Sequence, residues 1–268
     1  MIKYKYFDTH AHVNHEPLAK NIDEIINESN SFGILINNVG TNIETSKLAI
    51  KQAKKYANVF ATIGIHPCDI ENIEIDKARV ELEKMLSNIK KNKIIAIGET
   101  GFDFHYKKDN FLLQKKFFLM HVSLAKKYKL PIVLHIREAH RETMDLLSSS
   151  TKKLKVIIHC FDSTTEVAKK YNDLNFYVSF GGKITYQNSN DVREALSVVN
   201  LKKILVETDC PWLSPRTHKK EINKPIFLLG DGIIKEVGNV LDIEYEKISK
   251  ILFKNSIELF GIKKNKYI

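Results

Sequence analysis

The chain has few of the residues and segments that mark secreted or membrane proteins. Its 268 residues include only three cysteines, Cys68, Cys160 and Cys210, which are far apart and contain no C-x-x-C pair. This pattern disfavours a disulfide framework and indicates reduced thiols. No apolar run approaches the roughly 18 residues of a membrane span, and the start, MIKYKYFDTHAHV, lacks the apolar core of a signal peptide. We therefore expect a cytoplasmic protein that does not associate with membranes.

Arginine is also scarce. Of the 42 basic residues only five are arginines, and the chain is rich in Ile and Asn, a skew that an AT-rich coding sequence would produce. Against 32 acidic residues the formal net charge is +10. A basic surface favours polyanionic partners such as nucleic acid, but a compositional bias would give the same charge without such a partner. Charge alone leaves both interpretations open.

Apolar residues are plentiful, and their arrangement predicts the fold class. Hydrophobic residues make up 43% and charged residues 28% of the chain, which excludes disorder and is typical of a globular protein. Short apolar runs alternate with longer amphipathic stretches, as in βα units around a parallel sheet. The predicted strands are Lys5–Thr9, Gly33–Asn37, Val59–Gly64, Ile94–Gly98, Pro131–His135, Lys155–His159, Phe176–Ser179 and Ile204–Thr208.

Eight strands in a chain of this length favour a closed (β/α)₈ barrel, which typically takes roughly 250 residues. A doubly wound sheet would begin with a Gly-rich phosphate turn, and the first strand is followed by His10 instead. We predict an α/β protein whose single TIM-barrel domain covers residues 1–268, of the metal-dependent hydrolase type. Helices are predicted over Ile43–Tyr56, Ile75–Lys90, Gln114–Tyr128, Arg141–Ser148, Thr165–Asn172, Asp191–Asn200 and Tyr245–Leu259.

Titratable residues recur where the predicted strands end, which is where barrel enzymes place their chemistry. His10 and His12 close the first strand, and because side chains alternate along a strand they project to the same side, where they can chelate one metal ion. Two exposed loop histidines would be the structural alternative. Glu99 follows the apolar run IIAIG, where an unpaired buried carboxylate would be costly. Metal ligation or a buried ion pair with Arg or Lys would remove that cost.

The remaining strand ends carry similar groups. His135 and Arg137 share a face by alternation, which places a metal ligand beside a guanidinium that can bind phosphate oxygens. His159 and Asp209 end the sixth and eighth strands, and by adjacency Cys160 and Cys210 should point away as structural thiols. His66 follows the third strand and is either a phosphate contact or a structural histidine. Together these residues indicate a metal site in the barrel mouth.

With these residues in place, the chain resembles the TatD family of metal-dependent deoxyribonucleases, which lies near the amidohydrolase superfamily. The resemblance covers nearly the whole chain, in the family's order. The blocks that carry it are D-T-H-A-H (8–12), G-I-H-P (64–67), G-E-T-G-F-D (98–103), L-H-I-R (134–137), I-H-C-F (158–161), E-T-D-C-P-W-L-S-P (207–215) and N-S-I-E-L-F-G (255–261).

The resemblance implies a fold, a ligand set and an activity. The fold is a (β/α)₈ barrel, and the activity is hydrolysis of DNA, with 3′-to-5′ trimming as the family's tendency. His66 and Arg137 match positions beside the bound phosphate. One stretch departs from the family pattern: the usual Arg-Asn-Glu-Pro block reads Ile-Asn-Lys-Pro over residues 222–225, which weakens any carry-over of a salt bridge or substrate contact there. The implied metal ligands are His10, His12, Glu99, His135, His159 and Asp209.

Our hypothesis for the site places one divalent ion on His10, His12 and Asp209 and a second on His135 and His159, with Glu99 bridging. Two ions in one site can stabilise the attacking and the leaving oxygen of an in-line displacement at phosphorus. Asp209 would receive or orient the proton of the attacking water, while Arg137 and His66 would neutralise phosphate charge. The mixed imidazole and carboxylate set suits Zn or Mn, and the family tendency is Mg.

Two other functions fit the sequence. The first is a small-molecule amidohydrolase or phosphotriesterase-like esterase on the same barrel, although many such sites use a carboxylated lysine on the fourth strand where this chain has Glu99. The second is a non-catalytic protein that binds nucleic acid through its basic surface alone, which would need no metal. DNA as substrate and a monomeric state are the expectations that we carry forward.

Overall fold

Eight parallel strands form one sheet in the computed structural model, which describes residues 3–263. Each strand pairs with the next one along the chain, in the order β1 to β8. The prediction of a (β/α)₈ barrel is confirmed, whereas the ends of the predicted 1–268 domain, residues 1–2 and 264–268, lie outside the described residues. The strands are β1 (Tyr6–Ala11), β2 (Ile34–Val39), β3 (Val59–Ile63), β4 (Ile94–Asp103), β5 (Ile132–Arg137), β6 (Val156–Ile158), β7 (Tyr177–Phe180) and β8 (Ile204–Val206).

Hydrogen bonds also connect the first strand with the chain that follows the last one. The Thr9 hydroxyl donates to the Val206 carbonyl at 2.9 Å, and the Asp209 N–H donates to the His10 carbonyl at 2.9 Å. The two edges of the sheet are therefore joined at the same end at which the predicted metal ligands lie. A barrel closed in this way leaves few exposed strand edges.

Helices alternate with the strands and cover the outside of the barrel. All seven predicted helices are present, although the predicted segment Ile75–Lys90 is interrupted at Ser87. The sequence pattern does not predict the helices Ile22–Ser31, Phe104–Lys107 and Ile233–Leu241. The helices are α1 (Ile22–Ser31), α2 (Ile43–Lys55), α3 (Ile75–Leu86), α4 (Ile89–Asn92), α5 (Phe104–Lys107), α6 (Phe111–Tyr128), α7 (His140–Ser150), α8 (Thr165–Asp173), α9 (Asn190–Val198), α10 (Ile233–Leu241) and α11 (Tyr245–Phe260).

The interior of the barrel is layered. One buried apolar residue from each strand contributes to a cluster that we call the apolar floor, and α11 packs against this cluster through Phe253, Ile257 and Phe260. Because side chains alternate along a strand, the residue two positions further on points into the barrel again. The apolar floor consists of Phe7, Leu35, Phe60, Ile95, Val133, Ile157, Tyr177 and Leu205.

The layer above the apolar floor is polar, which explains how the barrel holds charged groups in its mouth. Seven strands have a polar residue two positions beyond their floor residue, and several of these residues bond to one another. The Thr62 hydroxyl, for example, donates to the Asn37 amide oxygen at 2.8 Å. The seven residues are Thr9, Asn37, Thr62, His135, His159, Ser179 and Glu207. Within residues 3–263, no helix has the length and apolar character needed to cross a membrane.

Candidate metal centre

The carboxylate of Glu99 lies at the centre of the barrel mouth, and its two oxygens face different sets of histidines. Oε1 lies 2.7 Å from His159 Nε2, 3.1 Å from His135 Nδ1 and 3.7 Å from His66 Nε2. Oε2 lies 3.4 Å from His10 Nε2 and 3.6 Å from His12 Nε2. The strand order explains the division, since His10 lies in β1 and His12 directly after it, whereas His135 lies in β5 and His159 directly follows β6. Residues far apart in the sequence therefore meet at one carboxylate.

Asp209 completes the side of the site on which β1 lies. Its Oδ1 is 3.4 Å from His12 Nε2 and 3.9 Å from His10 Nε2, and the two imidazole nitrogens are 3.0 Å apart. Both histidines therefore point to the same side, as the alternation of the strand predicts. All six predicted ligand residues converge in the mouth.

The surroundings of Glu99 favour its ionised form. The residue is 2% exposed, and burial raises the pKa of its carboxyl, but His159, His66 and His10 outweigh burial and hold that pKa well below its usual range. The Arg or Lys ion pair considered for this residue is absent from the described part of the chain, where histidines are the only basic residues within 4.0 Å of the Glu99 carboxylate. A buried carboxylate surrounded by imidazoles has the composition of a site for divalent cations.

His12 and His159 each have one ring nitrogen in a contact away from Glu99, and that contact fixes which nitrogen faces the mouth. His12 Nδ1 lies 2.9 Å from the Val39 carbonyl, and the remaining nitrogen faces the mouth. His159 Nδ1 lies 3.2 Å from Glu207 Oε1, which also accepts the Cys160 N–H at 2.6 Å. Partners of this kind orient metal-ligating imidazoles. Glu207 is fully buried and was not singled out by the sequence analysis, although it lies two residues before Asp209.

Asp103 was also missed, because β4 is longer than predicted. The predicted strand ends at Gly98, whereas the observed strand continues to Asp103. Its Oδ2 lies 3.0 Å from His135 Nε2, so His135 is held between Asp103 and Glu99. Burial raises the pKa of the Asp103 carboxyl, but the contacts with His135 and the Tyr106 N–H outweigh it and lower that pKa to about 2. The signal in the sequence is alternation, which places Glu99, Gly101 and Asp103 on one face.

Gly101 makes this continuation of β4 possible. Its φ is +141°, and a Cβ atom added there would lie 2.0 Å from the His135 carbonyl oxygen. Only glycine tolerates both the backbone conformation and the close approach of β5. A G-x-x-G pattern that looks like a turn in the sequence is therefore the part of β4 that carries the site.

His66 and Arg137 lie at the rim of the site. The His66 ring contacts the His135 ring edge-on, with 4.4 Å between centroids, and burial followed by the proximity of His135 lowers the His66 pKa to about 3. Arg137 lies over the Tyr106 ring, with its guanidinium carbon 4.8 Å from the centroid. No carboxylate of residues 3–263 pairs with this guanidinium, which leaves its charge available to a ligand.

The stretch that departs from the family pattern has a structural role in this chain. Asn223 is buried, and its amide donates to the Thr208 carbonyl at 2.7 Å and to the Trp212 carbonyl at 2.5 Å. Lys224 pairs with Glu28 at 3.1 Å, whereas Ile222 is exposed. The loop after β8 is therefore held against the site by Asn223.

The two thiols beside the candidate ligands differ in exposure. Cys210 is buried, as expected of a structural thiol. Cys160 is partly exposed as a residue, but its thiol group is buried, and burial raises the pKa of that thiol well above its usual range. Its φ of +44° places it in a turn after β6 rather than in the continuing strand, so strict alternation no longer applies.

The donor atoms fit divalent ions. Glu99 belongs to two groups of donors. One group contains His10 and His12, and the other contains His66 and His135. Within each group the donor atoms lie within 4.8 Å of one another. Imidazole and carboxylate ligands together suit Zn, Mn and related transition metals. A third group, His10, His159 and Glu207, has the same spacing. Burial lowers the pKa of His12, His135 and His159, but the neighbouring carboxylates outweigh burial and raise it, so these imidazoles hold protons that a divalent cation would replace.

Comparison with known proteins identifies the family of the chain and agrees with its fold. The sequence profile of the family "TatD related DNase" matches residues 7–261. An uncharacterized metal-dependent hydrolase of Mycoplasma genitalium is 37% identical, and the alignment covers 96% of this chain and 99% of that protein. The uncharacterized metal-dependent hydrolase YabD of Bacillus subtilis is 31% identical over 96% of this chain and 99% of its own.

A solved structure supports the fold independently. The TatD homologue YjjV of Escherichia coli superposes with a TM-score of 0.90 at 24% identity, over 98% of this chain and all of that chain. At this identity the likeness shows the fold alone. The match of the family profile over nearly the whole chain, together with the two relatives, shows the family. The chain belongs to the TatD related DNase family, a family of metal-dependent hydrolases.

Proposed function

We propose that this protein hydrolyses phosphodiester bonds in DNA with a pair of divalent metal ions held in the barrel mouth. The observation that carries the proposal is the division of the Glu99 carboxylate between two sets of imidazoles, one at each oxygen. The name of the matching family and the unpaired Arg137 beside the site favour a phosphodiester over other hydrolysable bonds. The net charge of +10 is consistent with a polyanionic substrate.

In this proposal each half of the site holds one ion. His10, His12 and Asp209 would hold the first, His135 and His159 the second, and Glu99 would bridge them. Divalent ions bound there would lower the pKa of water and stabilise the charge on the attacking and leaving oxygens of an in-line displacement. Zn, Mn and Mg are the candidates.

The protein's own groups would complete the reaction. Burial raises the pKa of the Asp209 carboxyl, but His12, His159 and His10 outweigh burial and lower it, so Asp209 is ionised at neutral pH and can accept the proton of the attacking water. Arg137 would donate hydrogen bonds to the phosphate oxygens as negative charge grows in the transition state. His66 lies beside Glu99 Oε1, where it can contact the same phosphate.

Substitution of Glu99 tests the proposal directly. Glu99→Ala removes the bridging carboxylate, and we expect the metal content to fall from two ions to at most one per chain and DNA cleavage to fall by more than about 100-fold. Elemental analysis and gel assays on end-labelled DNA measure both, and the end-labelled products also reveal the direction of trimming. Glu24→Ala is the matched control, because Glu24 is an exposed carboxylate on α1. Full metal occupancy with undiminished cleavage in Glu99→Ala would rule out the assignment.

A substrate screen separates this proposal from the amidohydrolase alternative. β4 reads IIAIGETGFD and contains no lysine that could be carboxylated, which speaks against that subclass. Turnover of cyclic amides or lactones by the metal-loaded protein, with no action on DNA, would favour the alternative. DNA binding that is insensitive to a chelator and never leads to cleavage would favour the other alternative, a non-catalytic protein that binds nucleic acid through its basic surface.

A further inference from the structure

Two exposed aromatic side chains flank the candidate metal centre. Most aromatic residues of this protein are buried, but Trp212 is 46% exposed and Tyr106 is 65% exposed. Neither participates in the ligand set described above. Tyr and Trp are enriched at binding interfaces, because each has a large apolar ring with a polar tip, so their exposure beside the candidate site indicates a contact surface for a ligand.

Trp212 lies on the side of the mouth formed by β1 and β8. The centroid of its indole is 5.0 Å from the ring centroid of the proposed ligand His12 and 5.4 Å from that of His15. The backbone beneath it is fixed, because the Trp212 N–H donates to the Asp209 carbonyl at 3.1 Å and Asn223 donates to the Trp212 carbonyl. The indole is therefore held rigidly next to the metal ligands while much of its surface remains open.

Tyr106 lies on the side formed by β4 and β5. The Tyr106 N–H donates to Asp103 Oδ1 at 2.7 Å, and the other oxygen of the same carboxylate contacts His135. The Arg137 guanidinium lies over the Tyr106 ring, 4.8 Å from its centroid. The Asp103 carboxylate therefore links Tyr106 to His135, which lies on the Oε1 side of Glu99.

The two rings lie on opposite sides of the barrel mouth. In a barrel of eight strands in the order β1 to β8, the β1–β8 edge is opposite the β4–β5 pair. Trp212 contacts the histidines beside Glu99 Oε2, and Tyr106 lies beyond the histidine beside Oε1. A chain whose phosphate lies over Glu99 would therefore pass between the two rings.

We propose that Trp212 and Tyr106 are stacking platforms for the nucleobases on the two sides of the phosphate that is cleaved. This inference rests on the proposed phosphodiesterase function. Stacking on an aromatic ring accepts every base, because every base has a π face, and the Arg137 guanidinium above Tyr106 adds a cation that can bind the intervening phosphate. Bases, and not only the phosphate backbone, then contribute to substrate binding.

Trp212 is the only tryptophan of the chain, which makes its fluorescence a direct test. The metal-loaded protein is titrated with a phosphorothioate oligothymidylate, which resists cleavage, and with an abasic oligomer of equal length. We expect saturable quenching by oligothymidylate and little by the abasic oligomer at equal phosphate concentration. Equal quenching by both oligomers would overturn the proposal, since phosphate binding alone would then account for the signal.

Substitutions test the same inference through catalysis. With ordinary phosphodiester oligomers, which can be cleaved, Trp212→Ala and Tyr106→Ala should each lower the preference for oligothymidylate over the abasic oligomer, measured as the ratio of the two kcat/KM values, by roughly 10-fold. Trp212→Phe, which keeps a ring, should retain most of that preference. The control is Phe32→Ala, because Phe32 is 54% exposed but precedes β2 at the opposite end of the barrel. It should leave the ratio unchanged.

The outcomes distinguish the stacking proposal from the phosphodiesterase function on which it rests. An unchanged ratio in both Trp212→Ala and Tyr106→Ala, with normal cleavage of both oligomers, overturns the stacking platforms and leaves the phosphodiesterase function intact. A metal-loaded wild-type protein that cleaves neither oligomer but turns over cyclic amides or lactones overturns the function itself.

Discussion

At the scale of single residues, the hydrogen-bond partner of each imidazole decides which nitrogen it can offer to a metal. His12 gives Nδ1 to the Val39 carbonyl and His159 gives Nδ1 to Glu207, so both present Nε2 to Glu99. His135 does the reverse, because Asp103 contacts its Nε2 and leaves Nδ1 for Glu99. The ligand set therefore depends on groups that are not ligands themselves.

Asp103→Asn tests this dependence. Asparagine keeps the size of the side chain and can still cap the Tyr106 N–H, but it removes the negative charge beside His135. We expect metal affinity to fall about 10- to 100-fold, measured by calorimetric titration of the metal-free protein, with an unchanged circular dichroism spectrum. Asp76→Asn is the control, since Asp76 is an exposed carboxylate in the first turn of α3. Unaltered metal affinity in Asp103→Asn would show that the contact does not orient His135.

At the scale of elements, a buried histidine connects α6 to the end of β3. His121 Nδ1 donates to the Phe117 carbonyl at 2.7 Å, and its Nε2 accepts the Ile65 N–H at 3.0 Å, one residue before His66. Burial lowers the pKa of His121 to about 4, although the bond to Phe117 opposes that shift. The neutral ring is therefore part of the fold and places the loop that carries His66.

The His121 contact predicts a specific loss of stability in acid. Its pKa is lower in the folded state, about 4 against 6.5, so the unfolded chain binds the proton first and the stability is lost as pH falls from about 6.5 to about 4. At pH 5 the loss attributable to this residue is about 2 kcal/mol. Urea unfolding of the wild type and of His121→Gln in a chelator, compared at pH 7 and pH 5, measures it.

The variant should be less stable at pH 7, because it loses one of the two bonds, but it should lose about 2 kcal/mol less than the wild type on acidification. Other buried histidines titrate in both proteins and cancel in the difference. Parallel pH curves for the two proteins would mean that His121 is not held neutral.

At the scale of the whole molecule, the free-energy cost of burying charged groups falls on the barrel mouth. The apolar floor and α11 fill the lower half of the barrel, whereas the mouth contains buried carboxylates and imidazoles whose charges a bound cation would balance. A ligand that binds only the folded state adds its binding free energy to stability.

Removal of metal should therefore destabilise the whole protein. At a metal concentration 100 times the dissociation constant the stabilisation is about 2.7 kcal/mol, which corresponds to a shift in Tm of about 5 °C for a chain of this size. Differential scanning calorimetry with and without a chelator measures the shift. In Glu99→Ala the chelator should lower the Tm much less. A wild-type Tm that does not change on addition of the chelator would contradict a resident metal.

The sequence by itself determined the barrel and the positions of the candidate ligands. Apolar periodicity and the place of each polar residue after its strand are local properties, and they identified eight strands and the residues that converge on Glu99. The sequence pattern does not predict the helices α1, α5 and α10. It also ends β4 five residues early, because Gly98 and Gly101 are typical of turns and only the packing of β5 against them keeps them in the strand. Monomeric state, compartment and the extent of the domain remain predictions.

Only the tertiary structure decided which groups act together. The division of Glu99 between two sets of histidines, the contact of Asp103 with His135, and the opposition of Trp212 and Tyr106 all join residues from distant strands. Such contacts depend on strand register and on closure of the barrel, which no local stretch of sequence encodes. The residue types indicated a candidate metal site, and the packing of the eight strands brought its side chains together.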